Sequence, residues 1–217
     1  MAWTLQFSDV FTEASNTNLN SHTPGTGVSW SKNAGPAGSH AVVVASDDTL
    51  CHPYHTGVPT NTFYTAEISG SWAAKQKCEA TKPQAGNANV RLAARLSAND
   101  DGYGWHWAIA DSTWKLMRYD NGAETTIASS VQASPGTLLQ GIEADGSTIT
   151  GTKSGASEAS TTDATYATGK PGVITIKSLA SAGADAYEAY DEAAAAGIAA
   201  ILAKSIRHRR LMGYAGR

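Results

Sequence analysis

Three aromatic side chains share one face of a predicted strand in the middle of the chain. In the run GYGWHWAI, the alternation of an extended chain places Tyr103, Trp105 and Trp107 on one side and His106 on the other. Exposed aromatic rings stack on the C–H faces of sugars, so this run is a candidate carbohydrate site. The alternative, which we favour, is that Trp105 and Trp107 fill the core, where Trp buries a large apolar surface.

The carboxylates of the chain do not form the pair that glycoside hydrolysis usually requires. Glu143 and Asp145 are two residues apart, but Asp145 falls in a predicted turn. The sequence also has no Gly-x-Ser-x-Gly elbow, no phosphate-binding glycine loop and no His-Glu-x-x-His pair. We therefore expect no enzymatic activity and no cofactor. The other glutamates considered each stand alone: Glu67, Glu79, Glu124 and Glu158.

Cys51, His52 and His55 in the run CHPYH form part of a zinc ligand set. A tetrahedral site needs four ligands, and Cys78 could complete it only if the fold brought it close. A polar loop is the favoured interpretation, and we predict no metal. A disulfide between Cys51 and Cys78 would suit an oxidising environment, and two separate thiols are the alternative.

The segment 192–217 has a helical rather than an alternating pattern. Five basic residues and no acidic residue follow Glu192, which leaves residues 1–192 with 11 basic against 19 acidic side chains. A body this acidic should not bind nucleic acid, and a membrane-surface helix would need a larger apolar face. We predict a helix that docks in a groove of an acidic or helical partner, with folding back onto the chain's own sandwich as the alternative. The predicted docking residues are Ile198, Ile201, Leu202, Ile206, Arg207, Arg209 and Arg210.

Short strand signals recur along residues 1–191 and predict an all-β antiparallel sandwich. Turn sequences such as YDNGAE and ADGST contain Asn, Asp and Gly, which tolerate the positive φ of tight hairpins. In NVRLAARLS, apolar residues alternate with Arg91 and Arg95, which predicts a strand with one wet face. The predicted strands lie near 3–7, 28–31, 40–45, 63–72, 89–97, 104–110, 113–119, 124–128, 138–144, 148–152, 158–164, 173–178 and 186–190.

The opening segment FSDVFTEASNTNLNSHTPGTGVSW resembles the start of concanavalin A-like (laminin-G-like) jelly-roll domains of phage structural proteins and bacterial surface proteins. Further matches in RLAARLSANDDGYGWHWAIADSTWKLMRYDNGAETTIASS, GIEADGSTITGTKSG and TGKPGVI extend the resemblance over residues 5–190. It implies a jelly-roll sandwich over 1–191, with 192–217 as a separate tail. Related domains sometimes hold a structural Ca²⁺, for which Asp9 and Asp191 are suitably placed but supply too few oxygens. The opening positions that match are Asp9, Phe11, Thr12, Leu19, His22, Thr23, Pro24, Gly27 and Trp30.

The resemblance implies a non-enzymatic structural protein of a tailed-phage virion. The phage-like opening, the missing catalytic set and a start, MAWTLQFSDV, that lacks a secretory signal all point this way. We expect a capsid decoration protein, with a tail, fibre or spike component as the next choice. Its partners would be major capsid or tail proteins and further copies of itself, assembled in the host cytoplasm without a membrane. The alternative is a carbohydrate-binding module that contacts host glycans.

Overall fold

The computed structural model describes residues 3–15, 17–33, 42–44, 49–51, 61–82, 90–108, 112–131, 138–176, 184 and 186–192. These residues form sixteen strands and a short 3-10 helix, Leu19–Ser21. In chain order the strands are β1 (Trp3–Asp9), β2 (Thr17–Asn18), β3 (Ser29–Lys32), β4 (Val42–Val44), β5 (Thr49–Cys51), β6 (Asn61–Glu67), β7 (Gln76–Lys82), β8 (Val90–Leu96), β9 (Gly102–Ala108), β10 (Thr113–Asp120), β11 (Ala123–Val131), β12 (Leu138–Asp145), β13 (Thr148–Lys153), β14 (Ala156–Thr162), β15 (Lys170–Ile176) and β16 (Ala186–Glu192).

The strands build a two-layer antiparallel sandwich. One layer is a six-stranded sheet with the order β1-β16-β7-β12-β13-β14. The other is a seven-stranded sheet with the order β11-β10-β9-β8-β15-β6-β3, and a small third sheet has the order β2-β4-β5. This architecture confirms the predicted all-β, jelly-roll sandwich. No helix long and apolar enough to cross a membrane occurs in the part of the chain that the structure describes.

Large aromatic residues of one layer pack on small residues of the other. Trp105 and Trp114 stack in the core, with 5.2 Å between their ring centroids. The Trp105 ring lies against Gly151 of the six-stranded sheet, where a Cβ would come within 2.2 Å of the ring. Glycine at position 151 therefore gives the indole its place between the layers, because no larger residue fits there without displacing the ring.

Strand β8 is buried on both faces, which corrects the prediction of one wet face. Leu92 lies in the core between the sheets, whereas Ala93 and Leu96 belong to a second apolar cluster on the outer side of the seven-stranded sheet. Arg95 has a φ of 55°, and the pairing of β8 with β15 changes register nearby. The irregularity interrupts the alternation, so Leu96 lies on the opposite face from Leu92.

Strand β7, which no pattern in the sequence predicts, lies in the middle of the six-stranded sheet between β16 and β12. Its inward side chains are Gln76, Cys78 and Ala80, which are fully or almost fully buried. They are too small or too polar to give the pattern of a buried strand. The strand predicted at 63–72 ends at Glu67, and β5 ends at Cys51, the first residue of the run CHPYH that the sequence predicts as a loop.

Candidate functional site

The aromatic run on β9 contributes to the core. Tyr103 and Trp105 have no exposed surface. The Trp105 Nε1 donates a hydrogen bond to the carbonyl oxygen of Thr152 at 3.1 Å, and the Tyr103 hydroxyl donates to Asp163 Oδ1 at 2.9 Å. Neither ring has a face open to a sugar, so for these two residues the core alternative holds. The side chain of Trp107 lies outside the described residues.

The outer face of the seven-stranded sheet, which we call the closed face, is buried. The Tyr119 ring lies across this face over Gly104, where a Cβ would come within 2.8 Å of Tyr119 Cε2. The absence of a side chain at Gly104 therefore allows the ring to lie on the sheet. The apolar cluster of the closed face consists of Phe63, Ala93, Leu96, Met117, Tyr119 and Ile174.

Contacts between distant strands show that the closed face is concave. The Asn61 Nδ2 on β6 donates to Glu124 Oε1 on β11 at 2.8 Å, although four strands separate β6 from β11. In a flat sheet five strand spacings would place them about 24 Å apart. The Phe63 and Tyr119 rings, on β6 and β10, also meet edge to face at 5.3 Å. Such contacts require the sheet to curve around this face.

A buried arginine completes the closed face. Arg91 is 7% exposed, and its Nη1 donates to Glu124 Oε1 at 2.6 Å and to the Tyr119 hydroxyl. Burial raises the pKa of Tyr119 to about 12, against the lowering effect of the Arg91 charge. The Arg91 Nε is buried without a hydrogen-bond partner, and about a third of the Glu124 side chain is exposed. The sequence analysis placed Arg91 in solvent and missed this cluster.

The residues of the opening motif meet in a corner of the sandwich. The His22 ring is hydrogen-bonded through Nε2 to Asp9 Oδ1 at 2.8 Å and through Nδ1 to Glu13 Oε1 at 2.6 Å. Asp9 Oδ2 accepts from Trp30 Nε1 at 2.6 Å, and Oδ1 also accepts from the Phe11 amide. Burial alone would lower the pKa of His22, but the hydrogen bonds that its ring makes to Asp9 and Glu13 outweigh burial and raise the pKa. The corner therefore favours a charged imidazolium between two carboxylates.

The two candidate calcium ligands, Asp9 and Asp191, each have hydrogen-bond partners within the protein. Both carboxylate oxygens of Asp9 accept hydrogen bonds within the corner, and Asp191 accepts one from Gln6. Within the described ranges no group of three or more His, Cys, Asp or Glu residues is placed to hold a metal ion. Cys78 is a free thiol whose pKa burial raises to about 12. His52 and His55 lie outside the described residues, as do all the predicted docking residues of the tail.

The outer face of the six-stranded sheet, which we call the open face, carries charges and exposed apolar groups. Strand pairing places Leu5, Tyr190, Lys77 and Glu143 side by side in one row across four strands. The Lys77 Nζ lies 4.5 Å from the Tyr190 ring centroid and 3.1 Å from Glu79 Oε2. In the neighbouring row, the Lys75 Nζ lies 5.4 Å from the Trp3 ring centroid and 2.6 Å from Asp145 Oδ2.

Carboxylates exceed lysines on the open face. The described residues place Lys75 and Lys77 there beside five carboxylates, and Glu188 pairs directly with Glu79 on the neighbouring strand. Like charges in directly opposed positions are destabilising, so this face has an unbalanced negative charge. Burial raises the pKa of Glu143; the charges of Lys75 and Lys77 oppose this shift, and those of Asp145 and Glu79 add to it. The carboxylates are those of Glu79, Glu143, Asp145, Glu188 and Glu192.

Comparison with known proteins identifies the fold. The sequence matches no protein-family model, and no curated protein matches it. A Bacillus subtilis protein of unknown function with a galectin-like fold superimposes with a TM-score of 0.53 at 10% identity, over 88% of this chain and 98% of that one. A GH43 protein of Bacillus licheniformis superimposes with a TM-score of 0.54 at 12% identity, over 88% of this chain and 40% of that one. The fold is a concanavalin A-like, galectin-like sandwich.

Proposed function

We propose that this chain is a non-enzymatic structural protein of a tailed-phage virion, namely a capsid decoration protein. Its jelly roll is the displayed module, and residues 192–217 are the docking element. The observation that carries the proposal is the closed face, where the concave surface is filled by the chain's own Tyr119, Phe63 and Arg91. None of the seven strands of that sheet, as far as the structure describes them, carries two carboxylates. Glycoside hydrolysis usually uses a pair of carboxylates that flank the scissile bond, and Glu124 on this face is already paired with Arg91.

The opening motif supports the virion part of the proposal. The residues that carry the resemblance to phage structural domains contact one another, since Asp9, His22 and Trp30 form the hydrogen-bonded corner. The motif is thus used to join β1 to β3 rather than to bind a ligand. A module that works by shape and burial needs a stable corner of this kind, and many weakly binding copies on a symmetric particle act together through avidity.

Quantitative mass spectrometry of purified particles tests this function. We expect the protein in many copies per particle, in a fixed ratio to the major capsid protein. Deletion of residues 193–217 should abolish incorporation while the isolated sandwich keeps its circular dichroism spectrum. Absence from purified particles would overturn the proposal, and a few copies per particle would point to a fibre, collar or tip instead.

A second candidate function, glycan binding, is favoured by one observation on the closed face. About a third of the Glu124 side chain is exposed, so its carboxylate could accept hydrogen bonds from sugar hydroxyls. A glycan array with the intact chain tests this function. Binding that is lost in Glu124→Gln but kept in Asp145→Asn, on the open face, would support it. No binding to any glycan would exclude it in favour of the structural role.

A further inference from the structure

The open face has the composition of a surface that binds a basic, apolar segment. Leu5 and Leu139 are 44% and 40% exposed, and the partly buried rings of Trp3 and Tyr190 add apolar surface beside Leu5. Five carboxylates against two lysines give the same surface a negative charge. The closed face offers neither feature, because its apolar residues are already buried.

One segment of this chain complements that surface. Residues 193–217 carry five basic and no acidic side chains, and the apolar Ile198, Ile201, Leu202 and Ile206 recur at helical spacing. The diagonal from Leu5 to Leu139 crosses three strand spacings and about four residues of strand length, or about 20 Å. A helix over residues 198–210 would be about 18 Å long. The tail segment therefore matches the open face in length, in the sign of its charge and in its apolar residues.

The direction of β16 favours a tail that reaches another molecule. The strand ends at Glu192, beside Trp3, in the last row of the open face, so the chain leaves its own face at that edge. Because β16 runs from the row of Leu139 to the row of Trp3, a tail that bound its own face would first have to reverse direction. Binding the face of a second copy needs no such reversal.

We propose that the open face of one copy binds residues 193–217 of a second copy. The inference rests on the proposed function only in taking the tail as a docking element, and it names a copy of the same chain as the partner. Apolar contacts would form with Leu5, Leu139 and Trp3, while the basic end of the tail lies among the carboxylates. Because each copy has one face and one tail, two copies can exchange tails or a series can form a ring.

Sedimentation of the intact chain, alone and with charge variants, tests this interface. We expect a concentration-dependent oligomer at about 0.1 M salt that weakens towards 1 M, as the Debye length falls from about 10 to about 3 Å. Deletion of 193–217 should give a monomer. Glu188→Lys on the face or Arg209→Glu on the tail should each weaken self-association about tenfold or more, because like charges then meet. The matched control Asn99→Lys, in an exposed turn away from the face, should leave it unchanged.

A mixture of two variants gives the decisive result. Chains with Glu188→Lys keep a native tail, and chains with Arg209→Glu keep a native face. Mixing the two variants should therefore restore the association that each variant loses on its own. A monomer under all conditions would overturn the proposal, as would an oligomer that the deletion or Glu188→Lys leaves intact. Failure here would leave incorporation into particles unaffected, whereas failure of the virion role would leave this self-association in place.

Discussion

The two outer faces of the sandwich differ although their sheets share one core. The closed face is concave and buried, with Tyr119 lying on the sheet and Arg91 paired with Glu124. The open face carries charged and hydroxyl side chains, and its aromatic residues Trp3 and Tyr190 are only partly buried. The difference shows that the alternation of apolar and polar residues along a strand identifies the core-facing side only where the other side of the strand is exposed to solvent. On the closed face both sides of a strand are buried, and the pattern loses that meaning.

Truncation of one tyrosine on each face should give the largest difference in the free energy of unfolding between the two faces. Tyr119→Ala should lower the free energy of unfolding by about 3–5 kcal/mol, because it removes a fully buried ring that contacts Phe63 and Arg91. Tyr190→Ala on the open face should cost about 1 kcal/mol or less. Urea denaturation of both variants measures the two values, and equal losses would contradict the distinction between the faces.

Removal of one carboxylate on each face should give a smaller difference in the free energy of unfolding than truncation of the tyrosines. Glu124→Gln leaves the buried Arg91 guanidinium without its charged partner and should cost about 1–3 kcal/mol, since water reaches part of the Glu124 site. Asp145→Asn removes the partner of Lys75 on the open face, where half of the carboxylate side chain is exposed. An exposed pair of this kind contributes about 1 kcal/mol or less. A larger loss for Asp145→Asn in urea denaturation would reverse the assignment of the faces.

His22 lies in the corner of the sandwich and belongs to neither outer face. It should make the stability of the fold depend on pH independently of the two faces. Its pKa is raised above 6.5, so the protonated ring stabilises the folded state fully below pH 6.5. This contribution is lost as the pH rises through the raised, folded-state pKa. We expect wild-type stability to fall above pH 6.5 and His22→Gln to flatten that fall. Urea denaturation across this range measures the slope, and an unchanged slope in the variant would assign the effect to another group.

Polar substitution of the exposed leucines should have the smallest effect on stability. Leu5→Ser and Leu139→Ser remove side chains that are already about 40% or more exposed, so the free energy of unfolding should change by about 0.5 kcal/mol each. Self-association in sedimentation should weaken in both. A cost of several kcal/mol would show that the leucines are part of the core packing rather than of a binding surface.

The general fold could be predicted because its signals are local. The turns YDNGAE and ADGST close the β10–β11 and β12–β13 hairpins, where Asn121 and Gly122 have positive φ as their turn chemistry requires. The opening motif marked a segment whose residues are joined by hydrogen bonds. These features depend on neighbours close in sequence, and the pattern of residues preserves that information.

The closed face could not be predicted because it depends on contacts between distant strands. Arg91 looks like a solvent-facing residue beside Leu92, and only the curvature of the sheet brings Glu124 to Arg91 and Asn61 to Glu124. The φ of Arg95 likewise moves Leu96 to the other face without any glycine or proline to mark the change. Strand β7 was missed for a related reason, since Cys78 and Ala80 are buried by their partners rather than by their own size.

The position of β16 determines how the sandwich would respond to tension on the tail. This strand is hydrogen-bonded to β1 on one side and to β7 on the other, and the tail continues directly from Glu192. Ladder bonds lie perpendicular to the strand, so a pull along its axis loads both ladders in shear and many bonds must fail together. A force perpendicular to the edge strand β1 would instead break its single ladder bond by bond. The tail is thus fixed at a point of the fold that can bear mechanical load.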